Sequence, residues 1–193
     1  AFGQYQDKSF VAFDPCSQTV NGRCGTAHVP NATKPDYTRW QAGVDVGGPI
    51  MTDRVHFFAS YELNDQTRAN NVALGSQANL APPDIQARFQ PLVGNVDSPF
   101  RSNLAFGKLS FQAGASDIVD ASGYYRKEKE VRDFGGQTSA ESANKIENGV
   151  WNAQVKNSLV SSSFISDTTL SYNDYRWNPQ PVNPGQIGLN YEN

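Results

Sequence analysis

The stretch that decides the fold reads Trp40-Gln41-Ala42-Gly43-Val44-Asp45-Val46-Gly47-Gly48-Pro49-Ile50, then Met51-Thr52-Asp53-Arg54, then Val55-His56-Phe57-Phe58-Ala59-Ser60-Tyr61-Glu62-Leu63-Asn64. In its first arm Trp40, Ala42, Val44 and Val46 alternate with Gln41, Gly43, Asp45 and Gly47. In its second arm Val55, Phe57, Ala59, Tyr61 and Leu63 alternate with His56, Phe58, Ser60, Glu62 and Asn64, and only Phe58 is out of step. A period of two is the mark of a strand, so the stretch is an antiparallel hairpin. Gly47, Gly48, Pro49 and Ile50 are expected to close its turn, because glycine permits unusual φ and proline fixes its own.

The same alternation recurs along the chain. Ala105, Gly107, Leu109 and Phe111 oppose Phe106, Lys108, Ser110 and Gln112. Val119, Ala121, Gly123 and Tyr125 oppose Asp120, Ser122, Tyr124 and Arg126. Trp151, Ala153 and Val155 oppose Asn152, Gln154 and Lys156, and Thr168, Leu170 and Tyr172 oppose Asp167, Thr169, Ser171 and Asn173. With a less regular strand near Phe2 to Phe13, this predicts seven strands of about ten residues, the length that crosses a bilayer when tilted.

Short and long connections alternate. Residues 49–53, 113–117 and 161–163 are short turns, whereas 14–36, 72–101, 134–149 and the stretch from Trp177 onward are long and polar. An up-and-down meander then collects all short turns at one end and all long loops at the other, which is the asymmetry of outer-membrane barrels. One local helix is expected in the second long loop, over Pro82 to Phe89, with Asp84 as its N-cap and Pro91 beyond its end.

Each strand has an apolar face and a polar face, the polar one carrying Asp45, Glu62, Lys108, Asp120, Arg126, Gln154, Lys156 and Asp167. In a barrel these faces meet lipid and a wet lumen; in a soluble sheet they meet a core and water. Aromatics fall at two levels. Phe57, Phe111 and Phe164 lie beside short turns, and Trp40, Tyr125, Trp151 and Tyr172 lie towards the long loops, as girdles at two membrane interfaces would.

Composition agrees with a chain of this kind. The 193 residues are 38% hydrophobic and 18% charged, with 16 Gly and 11 Pro. A mean hydropathy of −0.56 excludes a spanning helix. A net charge of −3 and a pI near 5.3 argue against a nucleic-acid partner. The 11% of aromatic residues argues against disorder.

The search for chemistry finds little. There is no phosphate-binding loop, zinc-protease helix or nucleophile elbow, so no enzyme, catalytic residue, metal or cofactor is expected. Cys16 and Cys24, eight apart in a Gly- and Asn-rich stretch, are read as a loop disulfide of an oxidising compartment, with free thiols as the alternative. His28 is too isolated to build a zinc site with them, and His56 belongs to a polar strand face. Lys127-Glu128-Lys129-Glu130 reads as a solvated strand end. Asn31-Ala32-Thr33 has the form of a glycosylation acceptor, without meaning in a bacterial outer membrane. Tyr172, Tyr175 and Trp177 are candidate ligand-facing aromatics, with an interfacial girdle as the competing reading.

Residues 40–62 also resemble the early barrel of Oar-like TonB-dependent outer-membrane receptors. There, too, a strand runs into Gly-Gly-Pro-Ile, turns through a short segment and returns as an aromatic-rich strand ending in Tyr-Glu. The resemblance implies a barrel of about twenty-two strands closed by a plug domain. It implies energy-coupled uptake of a ligand it does not identify. The implied partners are outer-membrane lipid, the rest of the barrel and its plug, and the TonB energy-coupling complex through that plug. On this reading the chain is a fragment, about a third of the barrel, without the plug. Seven strands would leave two open edges, which a bilayer does not tolerate. Two alternatives remain: a secreted β-sandwich or adhesin-like module binding carbohydrate, and a complete barrel of eight strands.

Overall fold

The computed structural model describes residues 1–11, 19–20, 23–24, 35–75 and 78–185. Among the described residues nine strands form: β1 (Phe2–Asp7), β2 (Thr19–Val20), β3 (Arg23–Cys24), β4 (Tyr37–Met51), β5 (Val55–Val72), β6 (Gly94–Gly114), β7 (Asp117–Arg132), β8 (Asn144–Val160) and β9 (Ile165–Pro181). β2 and β3 are a separate small hairpin. The other seven make one antiparallel sheet in the order β1-β4-β5-β6-β7-β8-β9, so every strand pairs with its sequence neighbours. The sheet is not closed: among the described residues β1 and β9 each have one free edge. Among the described residues no second large sheet packs on it, as a two-layered sandwich would require.

The connections separate as expected. Residues 52–54, 115–116 and 161–164 join strands at one end, and 8–36, 73–93 and 133–143 at the other. The second long loop holds helix α1 (Pro83–Phe89), with Pro in its first turn. Pro82, not Asp84, is its N-cap, and no side chain caps it. Asp84 instead lies within the first turn, where a carboxylate favours the exposed N–H groups.

The main-sheet strands after β1 are longer than predicted, at 15 to 21 residues rather than about ten. The reason is that pairing continues past the apolar segments. Residues 94–101, 127–132, 144–149 and 177–181 are polar or Pro-rich, yet their register runs on without interruption. The ladder needs backbone groups, not apolar faces, and cross-strand charge pairs such as Lys129–Glu147 at 2.6 Å support it.

The first hairpin turns later than the sequence reading placed it. Gly47, Gly48, Pro49 and Ile50 are all strand residues of β4, and neither glycine has a positive φ. The chain reverses at 52–54, where Asp53 takes φ 59° and the Arg54 N–H donates to the Met51 carbonyl at 3.1 Å. Pro49 pairs with His56 and Met51 with Val55, leaving Ile50 as the extra residue of a bulge, a place where proline is tolerated. Gly47 is required for a different reason. A Cβ there would stand 3.0 Å from the Phe57 carbonyl oxygen and 3.1 Å from the Phe58 ring. Its absence lets Phe58 lie against the strand, 6.0 Å from Phe106 on the same face. Phe58, out of step in the sequence, thus has a partner.

All of the buried hydrophobic residues described, Val72, Phe134, Ala143 and Ile146, sit at the long-loop end. Val96, Val131, Ala140 and Val182 pack around Val72, Phe134 and Ala143. The rest of the sheet has no core of its own.

Candidate functional site

Register assigns every side chain to a face, because directly opposed residues of an antiparallel sheet point the same way. One rung runs Gly48, Phe57, Leu109, Ala121, Val155 and Leu170; the rung two residues on runs Val46, Ala59, Gly107, Gly123, Ala153 and Tyr172. These rungs form the apolar face. The rungs between them run Gly47, Phe58, Lys108, Ser122, Gln154 and Ser171, and Asp45, Ser60, Phe106, Tyr124, Asn152 and Asn173. These form the polar face.

Exposure is inverted relative to a soluble sheet. Along β6 the apolar-face residues Ala105, Gly107, Leu109 and Phe111 are exposed, while Phe106, Lys108 and Ser110 opposite them are half-buried. Val155 is 46% exposed and Leu170 76%. The polar face is therefore the crowded one, and the bare apolar face requires a non-aqueous neighbour.

The aromatics give this face its level and slant. Tyr5 and Trp40 share a rung, with ring centroids 4.5 Å apart. Tyr61, Tyr125 and Trp151 share another, four residues lower on β5, and the Tyr125 and Trp151 centroids are 4.8 Å apart. Tyr172 is two residues lower again. On β6 no aromatic stands at this level, and the Tyr61 hydroxyl reaches across to Asn103 Oδ1 at 2.6 Å. The line thus descends about six residues over six strand steps. One residue of about 3.3 Å per strand spacing of about 4.8 Å corresponds to a tilt of about 35°. The short-turn end descends the same way: pairing continues none, two and three rungs past that of Val55 in successive hairpins. From Trp151 to Leu159 the apolar face of β8 then spans about 22 Å of height, close to the roughly 25 Å band of such barrels.

The polar face is held by a network. Arg39 donates from Nη2 to Gln41 Oε1 at 2.8 Å, and Gln41 from Nε2 to Glu62 Oε1 at 2.8 Å. Lys108 lies 3.1 Å from Asp120, which accepts from the Ser110 hydroxyl at 2.6 Å. Lys156 faces Asp167 at 3.5 Å, and Arg126 pairs with Glu128. Alternating acids and bases of this kind leave a wet surface without large net charge. Past the aromatic level, Lys8 donates to Asp36 at 2.8 Å, and that hydrogen bond, with the carboxylate's charge, raises the ammonium above its ordinary pKa.

At the mouth the sheet is latched. Asp133, Gly135 and Gly136 all take positive φ, and the loop crosses β6 to reach the end of β5. The Ala73 N–H donates to the Gly136 carbonyl at 2.7 Å, the Gly136 N–H to the Asn71 carbonyl at 2.8 Å, and Asn70 Nδ2 to the Phe134 carbonyl at 3.2 Å. Phe134 goes into the small core. The sequence signal for this latch was Phe134-Gly135-Gly136, an apolar residue beside two glycines in a polar loop.

The sequence-predicted residues divide. Tyr172 lies on the apolar face, opposite Ala153, whereas Tyr175 and Trp177 lie on the polar face, opposite Val150 and Asn148. Lys127 and Lys129 point to the apolar side; Glu128 and Glu130 point to the polar side, paired with Arg126 and Arg132. His56 is on the polar face. Cys24 is in β3, while Cys16, His28 and Asn31-Ala32-Thr33 lie outside the described residues. Among those residues no cluster of metal-ligating side chains forms.

Residues 1–81 match a protein-family model described as an outer membrane beta barrel domain. No curated protein and no solved structure matches. The inverted faces, the end-to-end asymmetry of the connections and this match define the class: a stretch of transmembrane β-barrel wall. Its place is the cell outer membrane, with the polar face towards the lumen.

Proposed function

We propose that this wall belongs to a TonB-dependent receptor. The receptor is a non-enzymatic transporter that takes up an unidentified ligand through a plugged lumen. The supporting observation is the hairpin at 40–62, whose sequence resembles Oar-like receptors and whose Gly47 accommodates an inward aromatic. A lumen face built of paired charges and amides suits a barrel wide enough to be filled by a separate domain rather than by its own side chains. Tyr175 and Trp177, 63% and 53% exposed on that face near the mouth, would be the aromatics that stack on an incoming ligand. Energy coupling would act through the plug and the inner-membrane TonB complex.

Conductance tests the reading. The protein extracted from its outer membrane and reconstituted in planar bilayers is expected to be closed, as a plugged barrel should be. A steadily open, ohmic pore would refute the receptor reading and point to a porin.

A further inference from the structure

On the polar face of β9, Tyr175, Trp177, Pro179 and Pro181 form a continuous row, and all four are exposed. Successive members stand about 6.6 Å apart along the strand. Trp177 lies five residues beyond Tyr172 and has the opposite parity, so the row is no part of the outward aromatic line. Bare rings on a wet wall call for an occupant with a flat apolar face.

The neighbouring strands add hydrogen bonds and remove net charge. On β8 the same face carries Asn152, Asn148 and Asn144, each half-buried. Asn152 donates to Asn173 Oδ1 at 2.6 Å, Asn148 to Glu128 Oε2 at 3.4 Å and Asn144 to Asp133 Oδ2 at 2.9 Å. A carboxamide has two such hydrogens, so the row has donors left. On β7 Arg126 pairs with Glu128, and Arg132 with Glu130 at 3.1 Å and Asp133 at 3.6 Å. These charges are engaged with one another, and neither sign is left beside the row to select a charged ligand. Arg68, on the same face at the mouth, stands on β5, four strand spacings or about 19 Å from β9.

We infer that this stretch of wall is a subsite for a neutral oligosaccharide. The inference rests on the receptor reading above and names its ligand class. A sugar ring has faces of C–H bonds and a rim of hydroxyls. The C–H face lies against an aromatic ring, whose negative face attracts the polarised hydrogens. The hydroxyls both donate and accept, as carboxamides do. Tyr175 and Trp177 hold consecutive units of one chain, and the Asn row runs alongside them.

The test uses the protein extracted from its outer membrane, in a detergent without a sugar headgroup. It is titrated with neutral hexasaccharides of glucose, xylose and mannose, and with a galacturonic acid hexasaccharide, followed by calorimetry. Saturable binding of at least one neutral chain is expected, tighter than that of the uronate. Tyr175→Ala and Trp177→Ala should each weaken it about tenfold or more, and Trp177→Phe, which keeps a ring, by less. Tyr172→Ala, on the lipid side of the same strand, should leave it unchanged. No binding by any neutral chain, equal or tighter binding of the uronate, unchanged affinity in the Tyr175 and Trp177 variants, or an equal loss in Tyr172→Ala would overturn the subsite. If Trp177→Ala fails to fold, Tyr175→Ala carries the same comparison. A closed barrel that binds no saccharide would sink the subsite and leave the receptor reading standing; an open pore that binds one would do the reverse.

Discussion

Val155 and Gln154 are neighbours in β8 and face opposite ways, so arginine at each position reads the membrane directly. Val155 is the fourth residue from Trp151 and the fourth from Leu159, which places it at the bilayer midplane. Arginine on a lipid face at that depth costs about 2–4 kcal/mol, falling to about 0–1 at the interfaces. Gln154 sits on the polar face, between Ser122 and Ser171. Arginine there stays in a wet lumen and should cost no more than about 0.5 kcal/mol. The assay is equilibrium unfolding of the protein in lipid vesicles, with arginine placed in turn at 151, 153, 155, 157 and 159. The expected profile is a dome peaking at Val155. Equal losses at 154 and 155, or a flat profile from 151 to 159, would refute the lipid band.

Other consequences concern the mouth and the loops. Gly135 has φ 114°, and a Cβ there would stand 3.3 Å from Asn70 Cβ; Gly135→Val is expected to cost about 1–3 kcal/mol. Hydrogen exchange should show this as faster exchange at Ala73 and Gly136, with the bilayer segments unaffected. Ile146→Ala, at a site 1% exposed, should destabilise by about 2–5 kcal/mol in the same unfolding assay. Asp36→Asn removes the partner that raises Lys8. The Lys8–Asp36 bond contributes fully below the ordinary lysine value of 10.5 and is lost as pH rises through the higher folded value. An NMR titration of Lys8 should accordingly show a lower midpoint in Asp36→Asn, and an unchanged midpoint would contradict the assignment.

The faces of the strands were legible because period two is geometric: once a residue is known to face lipid, its neighbours are fixed. The ends of the strands were not. Alternation of apolar residues stops at the membrane, while backbone pairing continues through Lys129, Glu147 and Asn178, where nothing in the hydrophobic pattern marks it. The turn at 52–54 was misplaced because Gly-Gly-Pro carries the usual turn chemistry; here the glycine answers to a ring lying across the strand, a tertiary demand. Tyr172 and Tyr175 differ in role by parity alone, which register reveals and composition does not. The latch was hidden because its contacts join residues more than sixty positions apart, such as Asn70 and Phe134.

The length of β6 has a further meaning. Its 21 residues need only about half their number to cross the apolar band, and the rest stand outside. Ten tilted residues carry the rim roughly 25 Å above the membrane surface. The entrance is thus a turret clear of the lipid headgroups. Whatever approaches from outside, whether nutrient, antibody or phage tail, meets paired strands and the Phe134 latch before it meets any lipid.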